Sequence, residues 1–231
     1  MEANRIDFIR FMLDCGALKF GDFTTKSGRK TPYFINTGAY QTGSQLEKLG
    51  EFYARALFTA HGRQVDNLFG PAYKGIPLAA VTAISLRRNF DLDVTYTFNR
   101  KEIKDHGEGG SLIGFDYVGW KGAQPCRVVL IEDVTTAGTS VRETLPWIQA
   151  GGKARAVGLV VSVDRMEKGT GERSALREIR EGFGMKTTAI VAFADVLEFL
   201  ESPEGAEHAR KDADLPARMR EYHARYGVGE A

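Results

Sequence analysis

Cysteine is scarce in this chain. It holds two in 231 residues, Cys15 and Cys126, which excludes a disulfide-dense scaffold and fits two free thiols in a reducing compartment. Surplus charge is missing too: 31 Lys and Arg stand against 30 Asp and Glu, a formal net charge of +1. A strongly basic nucleic-acid binder is thereby excluded, and any anion site has to be a local gathering of positive charge. There is no long apolar run. The longest charge-free apolar stretch, Gly75 to Leu86, is interrupted by Pro77, Thr82 and Ser85 and falls short of the ~20 residues that cross a bilayer. The N-terminus, Met1-Glu2-Ala3-Asn4-Arg5-Ile6-Asp7, lacks the basic start and apolar centre of a signal peptide. The expectation is a soluble, cytoplasmic protein without repeats or low-complexity tracts. What is present is ordinary globular composition, 43% hydrophobic and 26% charged, which supports a single domain over residues 1–231 with a substantial core.

Helix-like and strand-like segments alternate along the chain. Ile6, Ile9 and Leu13 have helical spacing up to Cys15-Gly16. Residues 20–34 read as polar and turn-rich, and Thr42-Gly43-Ser44 opens a helix that Gly62 stops. Short strands are expected at 65–69, 94–98 and 188–193, and helices at 76–88, 139–150 and 195–200. Val128 to Ile131 and Ala156 to Val163 are aliphatic runs without alternation, the pattern of strands buried on both faces. This order predicts an α/β fold with a parallel sheet. The charged tail 201–231 reads as a solvated surface segment, helical around 215–226.

The sharpest chemical signal is Val128-Val129-Leu130-Ile131-Glu132-Asp133-Val134-Thr135-Thr136-Ala137-Gly138-Thr139-Ser140. A buried strand ends in two carboxylates, at the edge where open α/β sheets bind ligands. A turn of hydroxyls and small residues then runs into a helix, so backbone N–H groups can cradle a phosphate. Neither a Gly-Lys-Ser/Thr loop nor Gly-x-Gly-x-x-Gly is present here. Carboxylates that accept from ribose hydroxyls, beside a phosphate cradle, suit a sugar phosphate. An ordinary strand followed by a helix cap is the bland alternative.

This segment resembles the signature of type I phosphoribosyltransferases, which bind 5-phosphoribosyl 1-pyrophosphate (PRPP). Glu132 stands where the family pattern has its first acid, and Thr135, Thr136, Ala137, Gly138, Thr139 and Ser140 form the phosphate loop. Three further segments sharpen the resemblance. Lys26-Ser27-Gly28-Arg29-Lys30-Thr31-Pro32-Tyr33-Phe34-Ile35 interleaves basic and aromatic residues, as a clamp for a planar anion would. Gly70-Pro71-Ala72-Tyr73-Lys74-Gly75 puts a lysine in a tight loop before a helix. Arg100 to Gly110, with Lys101, Lys104 and His106, is a charged, glycine-ended loop. Each segment alone also reads as ordinary surface. Together with Asp164-Arg165-Met166-Glu167-Lys168-Gly169 they resemble the orotate phosphoribosyltransferases, over about residues 20–169.

The resemblance implies the type I fold, a central parallel sheet flanked by helices, with a hood over the base from about residues 1–40. It implies that Lys26, Tyr73 and Lys74 hold the pyrophosphate end of PRPP, and that Arg100, Lys101, Lys104 and His106, also PRPP-binding, form a mobile catalytic loop. Glu132 and Asp133 would hold the ribose, Thr135 to Ser140 the 5-phosphate, and Phe34, Ile35, Thr136 and Arg165 would face orotate. Ile35 stands where many relatives carry a second aromatic. Lys101, Lys104, His106 and Asp133 would be the catalytic groups, with the 100–110 loop reaching into the neighbouring subunit of a homodimer. Mg²⁺ would be held mainly by PRPP oxygens, not directly by the protein. A cis peptide bond before Tyr73 is also implied. Two other readings use the same fold: a PRPP-binding regulator and a purine phosphoribosyltransferase.

Overall fold

The computed structural model describes residues 3–25, 28–100, 111–135, 138–169, 171–210 and 212–229. Its elements, in chain order, are α1 (Ala3–Asp14), β1 (Leu18–Thr24), β2 (Lys30–Ile35), α2 (Gly43–His61), β3 (Asn67–Phe69), α3 (Gly75–Phe90), β4 (Thr95–Asn99) and β5 (Leu112–Gly114). They continue with β6 (Cys126–Ile131), α4 (Thr139–Gln149), β7 (Ala154–Asp164), α5 (Ala175–Phe183), β8 (Lys186–Ala192), α6 (Phe193–Glu201), α7 (Ala206–Ala209) and α8 (Leu215–Tyr226).

Six strands form one sheet in the order β5-β4-β3-β6-β7-β8. All neighbours are parallel except β5, which runs antiparallel on the edge. The aliphatic run of β6 explains its central place. Val129 and Ile131 enter a core shared with α1, α2, α3, α6 and α8, whereas Val128 and Leu130 enter a second core under α4 and α5. With both faces covered, an alternating polar face would leave side chains buried without partners.

Local chemistry sets the element ends. The Thr42 hydroxyl accepts from the Gln45 backbone N–H at 3.3 Å, and the Gln45 side chain accepts from the Thr42 N–H at 3.1 Å, a reciprocal cap for α2. Gly62, at φ 56°, closes that helix. The cap and the stop are the two features the sequence places there.

Two expectations need correction. Most of residues 20–34 belongs to β1 and β2, paired antiparallel as a ribbon separate from the main sheet. A register shift between Phe20 and Phe23 breaks the alternation along β1, which hides the strand from a period-two reading. The tail is no solvated surface either. Leu215, Met219 and Tyr222 of α8 are buried in the main core. They recur every three or four positions, so one stripe packs inward while charged residues cover the rest. β5 and α5 are elements the sequence reading did not contain.

Candidate active site

The sheet reverses its winding between β3 and β6. From β3 the chain crosses to β4 on one side; β6 lies on the other and leads to β7 and β8. Such a switch point leaves a crevice at the carboxyl ends of the two strands. The loops leaving β3 and β6 are the Gly70–Lys74 and Glu132–Thr139 segments singled out from the sequence.

Close approach of these loops demands glycine. A Cβ on Gly70 would stand 2.2 Å from the Gly75 carbonyl oxygen, and one on Gly75 would stand 2.9 Å from the Ile131 carbonyl oxygen. No side chain fits at those distances, so this pair lets the β3 exit lie directly against the end of β6. The peptide bond between Ala72 and Tyr73 is cis, as the resemblance implies. The Ala72 N–H donates to the buried Asn99 side-chain oxygen at 2.9 Å, so the end of β4 holds this loop. Tyr73 is exposed.

Lys74 reaches across the crevice. Its Nζ lies 2.9 Å from Asp133 Oδ2 and 3.0 Å from Thr37 Oγ1, and the Thr37 hydroxyl donates to the same carboxylate oxygen at 2.7 Å. Burial pushes the Asp133 carboxyl up, but the Thr37 and Lys74 hydrogen bonds outweigh it and leave the group below its usual value. The Asp133 carbonyl is also held, by the Ser162 N–H at 2.9 Å and the Ser162 hydroxyl at 2.5 Å.

Glu132 behaves differently. It is buried, and burial pushes its carboxyl up to about 7, against a lowering hydrogen bond from the Ser140 hydroxyl and a raising charge from Asp133. The Tyr53 hydroxyl on α2 donates to the Glu132 carbonyl at 2.6 Å. Adjacent acids thus sit in contrasting settings, one paired with a lysine and one desolvated.

Beyond the acids, the Thr135 hydroxyl accepts from the Gly138 N–H at 3.1 Å. Gly138 adopts φ 65° and starts α4, with Thr139 and Ser140 in its first turn. These residues, with Ala72, Arg100 and Trp147, line a cavity of about 760 Å³. Arg100 presents a buried Nε that has no hydrogen-bond partner, and an anion supplies what such a donor lacks. Its backbone N–H donates to the Ser111 carbonyl at 2.8 Å, and both residues line this cavity. Lys26, Lys101, Lys104, His106, Thr136 and Ala137 lie outside the described residues.

The residues expected to face the base divide between two places. Phe34 is 42% exposed and stacks on Phe23 with ring centres 5.5 Å apart. Strand alternation puts it on the face of β2 opposite Tyr33 and Ile35. Arg165, just past β7, is largely buried; its guanidinium lies 4.9 Å from the Tyr33 ring centre and 2.7 Å from the Glu167 carboxylate. β2 and the turn after it therefore link the two regions, since Tyr33 meets Arg165 and Thr37 meets Asp133. Thr37, Asn99, Ser162, Tyr33 and Glu167 are site residues the sequence reading assigned no role. Only Tyr33 and Glu167 carried a signal, as members of segments already singled out.

A phosphoribosyl transferase domain is matched over residues 36–187. Curated orotate phosphoribosyltransferases of Lachnoclostridium phytofermentans and Clostridium beijerinckii are 54% and 52% identical to the chain over 228 residues. Those alignments cover 99% of this chain and 99% and 100% of the two relatives. The crystal structure of the orotate phosphoribosyltransferase of Francisella tularensis superposes with a TM-score of 0.81 at 35% identity, covering 96% of this chain and 100% of that one. With a domain match over most of its length and full-length relatives at this identity, the chain belongs to the phosphoribosyl transferases, in their orotate phosphoribosyltransferase branch.

Proposed function

We infer that the protein transfers the 5-phosphoribosyl group from PRPP to N1 of orotate, giving orotidine 5'-monophosphate and pyrophosphate in pyrimidine biosynthesis. The observation that carries this is the pairing of Lys74 with Asp133 across the switch-point crevice, in a chain 54% identical over 228 residues to an orotate phosphoribosyltransferase. Glu132 and Asp133 accept from the ribose hydroxyls. The turn from Thr135 to Ser140 takes the 5-phosphate at the start of α4, where N–H groups and the helix dipole favour an anion. Lys26, Tyr73, Lys74 and Arg100 serve the pyrophosphate. Phe34, Ile35, Thr136 and Arg165 meet the base.

The chemistry needs no covalent protein nucleophile. The C1–pyrophosphate bond breaks as N1 attacks from the opposite face, and the N1 proton is released. Positive charge develops on the ribose, negative charge on the leaving group. Lys74 and Arg100, with Lys101, Lys104 and His106 of the 101–110 segment, offset the leaving charge, and Asp133 steadies the ribose. Closure of that segment over the cavity would exclude the water that otherwise hydrolyses PRPP.

Hard oxygen donors suit Mg²⁺, and the carboxylates of Glu132 and Asp133 fit beside an ion that the PRPP oxygens carry. Bound there, it would neutralise charge on the pyrophosphate. We read residues 1–231 as one cytoplasmic domain, with a hood from about 1–40 and a homodimer as the working unit, the 100–110 loop being shared between subunits.

Ultraviolet absorbance of orotate, followed on mixing protein with PRPP and Mg²⁺, tests the assignment. Hypoxanthine, guanine and uracil run in parallel. Orotate should be consumed only when PRPP and Mg²⁺ are both present. Turnover of another base instead would overturn the acceptor assignment, and PRPP binding without any turnover would make the protein a PRPP-binding regulator.

A further inference from the structure

Glu167 is a buried carboxylate held by four donors. Its Oε1 takes hydrogen bonds from the Tyr222 hydroxyl at 2.9 Å, the Tyr33 hydroxyl at 3.1 Å and Arg165 Nε at 2.8 Å. Its Oε2 takes one from the Arg29 guanidinium. Three of the four donors share Oε1, so both tyrosines and Arg165 are held at one oxygen of the carboxylate. The arginine charge and these hydrogen bonds overcome burial and hold the carboxyl below its usual value, while burial keeps both tyrosines protonated as donors.

This cluster immobilises Arg165. Its guanidinium is held by Glu167, lies over the Tyr33 ring, and comes within 3.4 Å of the Tyr222 hydroxyl. Tyr222 belongs to α8, which the sequence reading left in solvent. α8 is tied back to the same stretch of chain: the Lys168 N–H donates to the Tyr226 carbonyl at 3.1 Å, and the Val228 N–H to the Met166 carbonyl at 2.9 Å. Arg29 completes the seam with its guanidinium 5.5 Å and 4.7 Å from the Tyr222 and Tyr226 ring centres.

Two guanidinium groups face one carboxylate here, an excess of one positive charge in a buried place. Arg29 Nε is buried without a hydrogen-bond partner. Such a site favours an anion over a neutral group. The cluster is also within reach of the ribose acids, because Tyr33 and Thr37 lie on one stretch of chain spanning at most ~14 Å.

We propose that Tyr222 is a positioning residue for the acceptor base. Through Glu167 it holds the Arg165 guanidinium where a planar, carboxylate-bearing base can pair with it, so the C-terminal helix is part of the acceptor site. This rests on the reading of Arg165 as an orotate contact.

Steady-state kinetics of Tyr222→Phe, Arg165→Ala and the double variant, with melting temperatures, test it. Tyr222→Phe keeps the ring and removes one donor. It should raise KM for orotate at least fivefold, with KM for PRPP and the melting temperature nearly unchanged. Arg165→Ala should raise KM for orotate further, and adding Tyr222→Phe to it should change little. An unchanged orotate KM in Arg165→Ala would sink the reading of Arg165 itself. An orotate KM raised by Arg165→Ala but untouched by Tyr222→Phe would overturn the positioning role alone. Equal rises in both KM values, a parallel loss of melting temperature, or additivity in the double variant would do the same. Should Tyr222→Phe not fold, Glu167→Gln is judged on the ratio of the two KM values alone: a selective rise for orotate supports the positioning role, and an unchanged ratio overturns it.

Discussion

Glu132 and Asp133 are neighbours in sequence with the same charge, yet their surroundings drive them apart. Lys74 and Thr37 stabilise the ionised form of Asp133, whereas Glu132 is desolvated and its pKa rises from 4.5 to about 7. The raised value has a thermodynamic consequence. Folding favours protonated Glu132, so its stabilising contribution is complete below pH 4.5 and is lost as pH rises toward 7. A shift of this size corresponds to about 3 kcal/mol. Glu132→Gln should therefore be more stable than the parent at pH 8, with the gap closing toward pH 4.5. Urea denaturation at a series of pH values measures it; two parallel stability curves would contradict the burial of a titrating carboxyl. The variant should also lose PRPP affinity, since it keeps the shape of the side chain and gives up its charge.

Among elements, the loops leaving β3 and β6 bear the closest constraint. Their approach rests on Gly70 and Gly75, where a methyl group would collide with backbone atoms that have nowhere to go. Overpacking of this kind costs ~1–3 kcal/mol and at times more. For a protein of this size each kcal/mol lowers the melting temperature by about 2–4 °C. Gly75→Ala should accordingly melt several degrees lower and bind PRPP more weakly, because Lys74 sits at the displaced turn. Calorimetry with and without PRPP separates the two effects. A variant of unchanged stability and affinity would mean that the loops do not approach as described.

At the scale of the whole molecule, the homodimer we propose makes a prediction that a monomer cannot. Lys101→Ala should lower kcat far more than PRPP affinity, since the loop acts on the leaving group. If that loop serves the neighbouring subunit, Lys101→Ala and Asp133→Asn homodimers, each impaired, should regain activity when mixed and allowed to exchange. One site in each hybrid then has both an intact loop and an intact acid. Absence of recovery despite demonstrated subunit exchange would place the loop over its own subunit's site.

Much of this was legible before the fold was known. β6 is a run of aliphatic residues, and only burial on both faces accommodates one, so its central position followed from composition alone. The Glu132–Ser140 turn could be read because acids, hydroxyls and a glycine stand consecutively, and the cap at Thr42 because its two partners are three residues apart. What escaped was whatever depends on residues distant in sequence. Thr37 and Ser162 acquire roles only when β2 and β7 are laid beside Asp133. Asn99 looks like any strand-end polar residue until it meets the Ala72 N–H. β1 was hidden by a bulge, and the burial of α8 by the charged residues that flank its apolar stripe. Sequence by itself therefore determined the α/β class, because periodicity is a short-range property of the chain, and it carried the family through the resemblance of consecutive motifs. Only the tertiary structure decided that a cluster of two arginines, two tyrosines and one buried glutamate joins the C-terminal helix to β2 and to the segment after β7. Their hydrogen bonds join residues 29, 33, 165, 167 and 222, and no local pattern encodes an encounter across that separation.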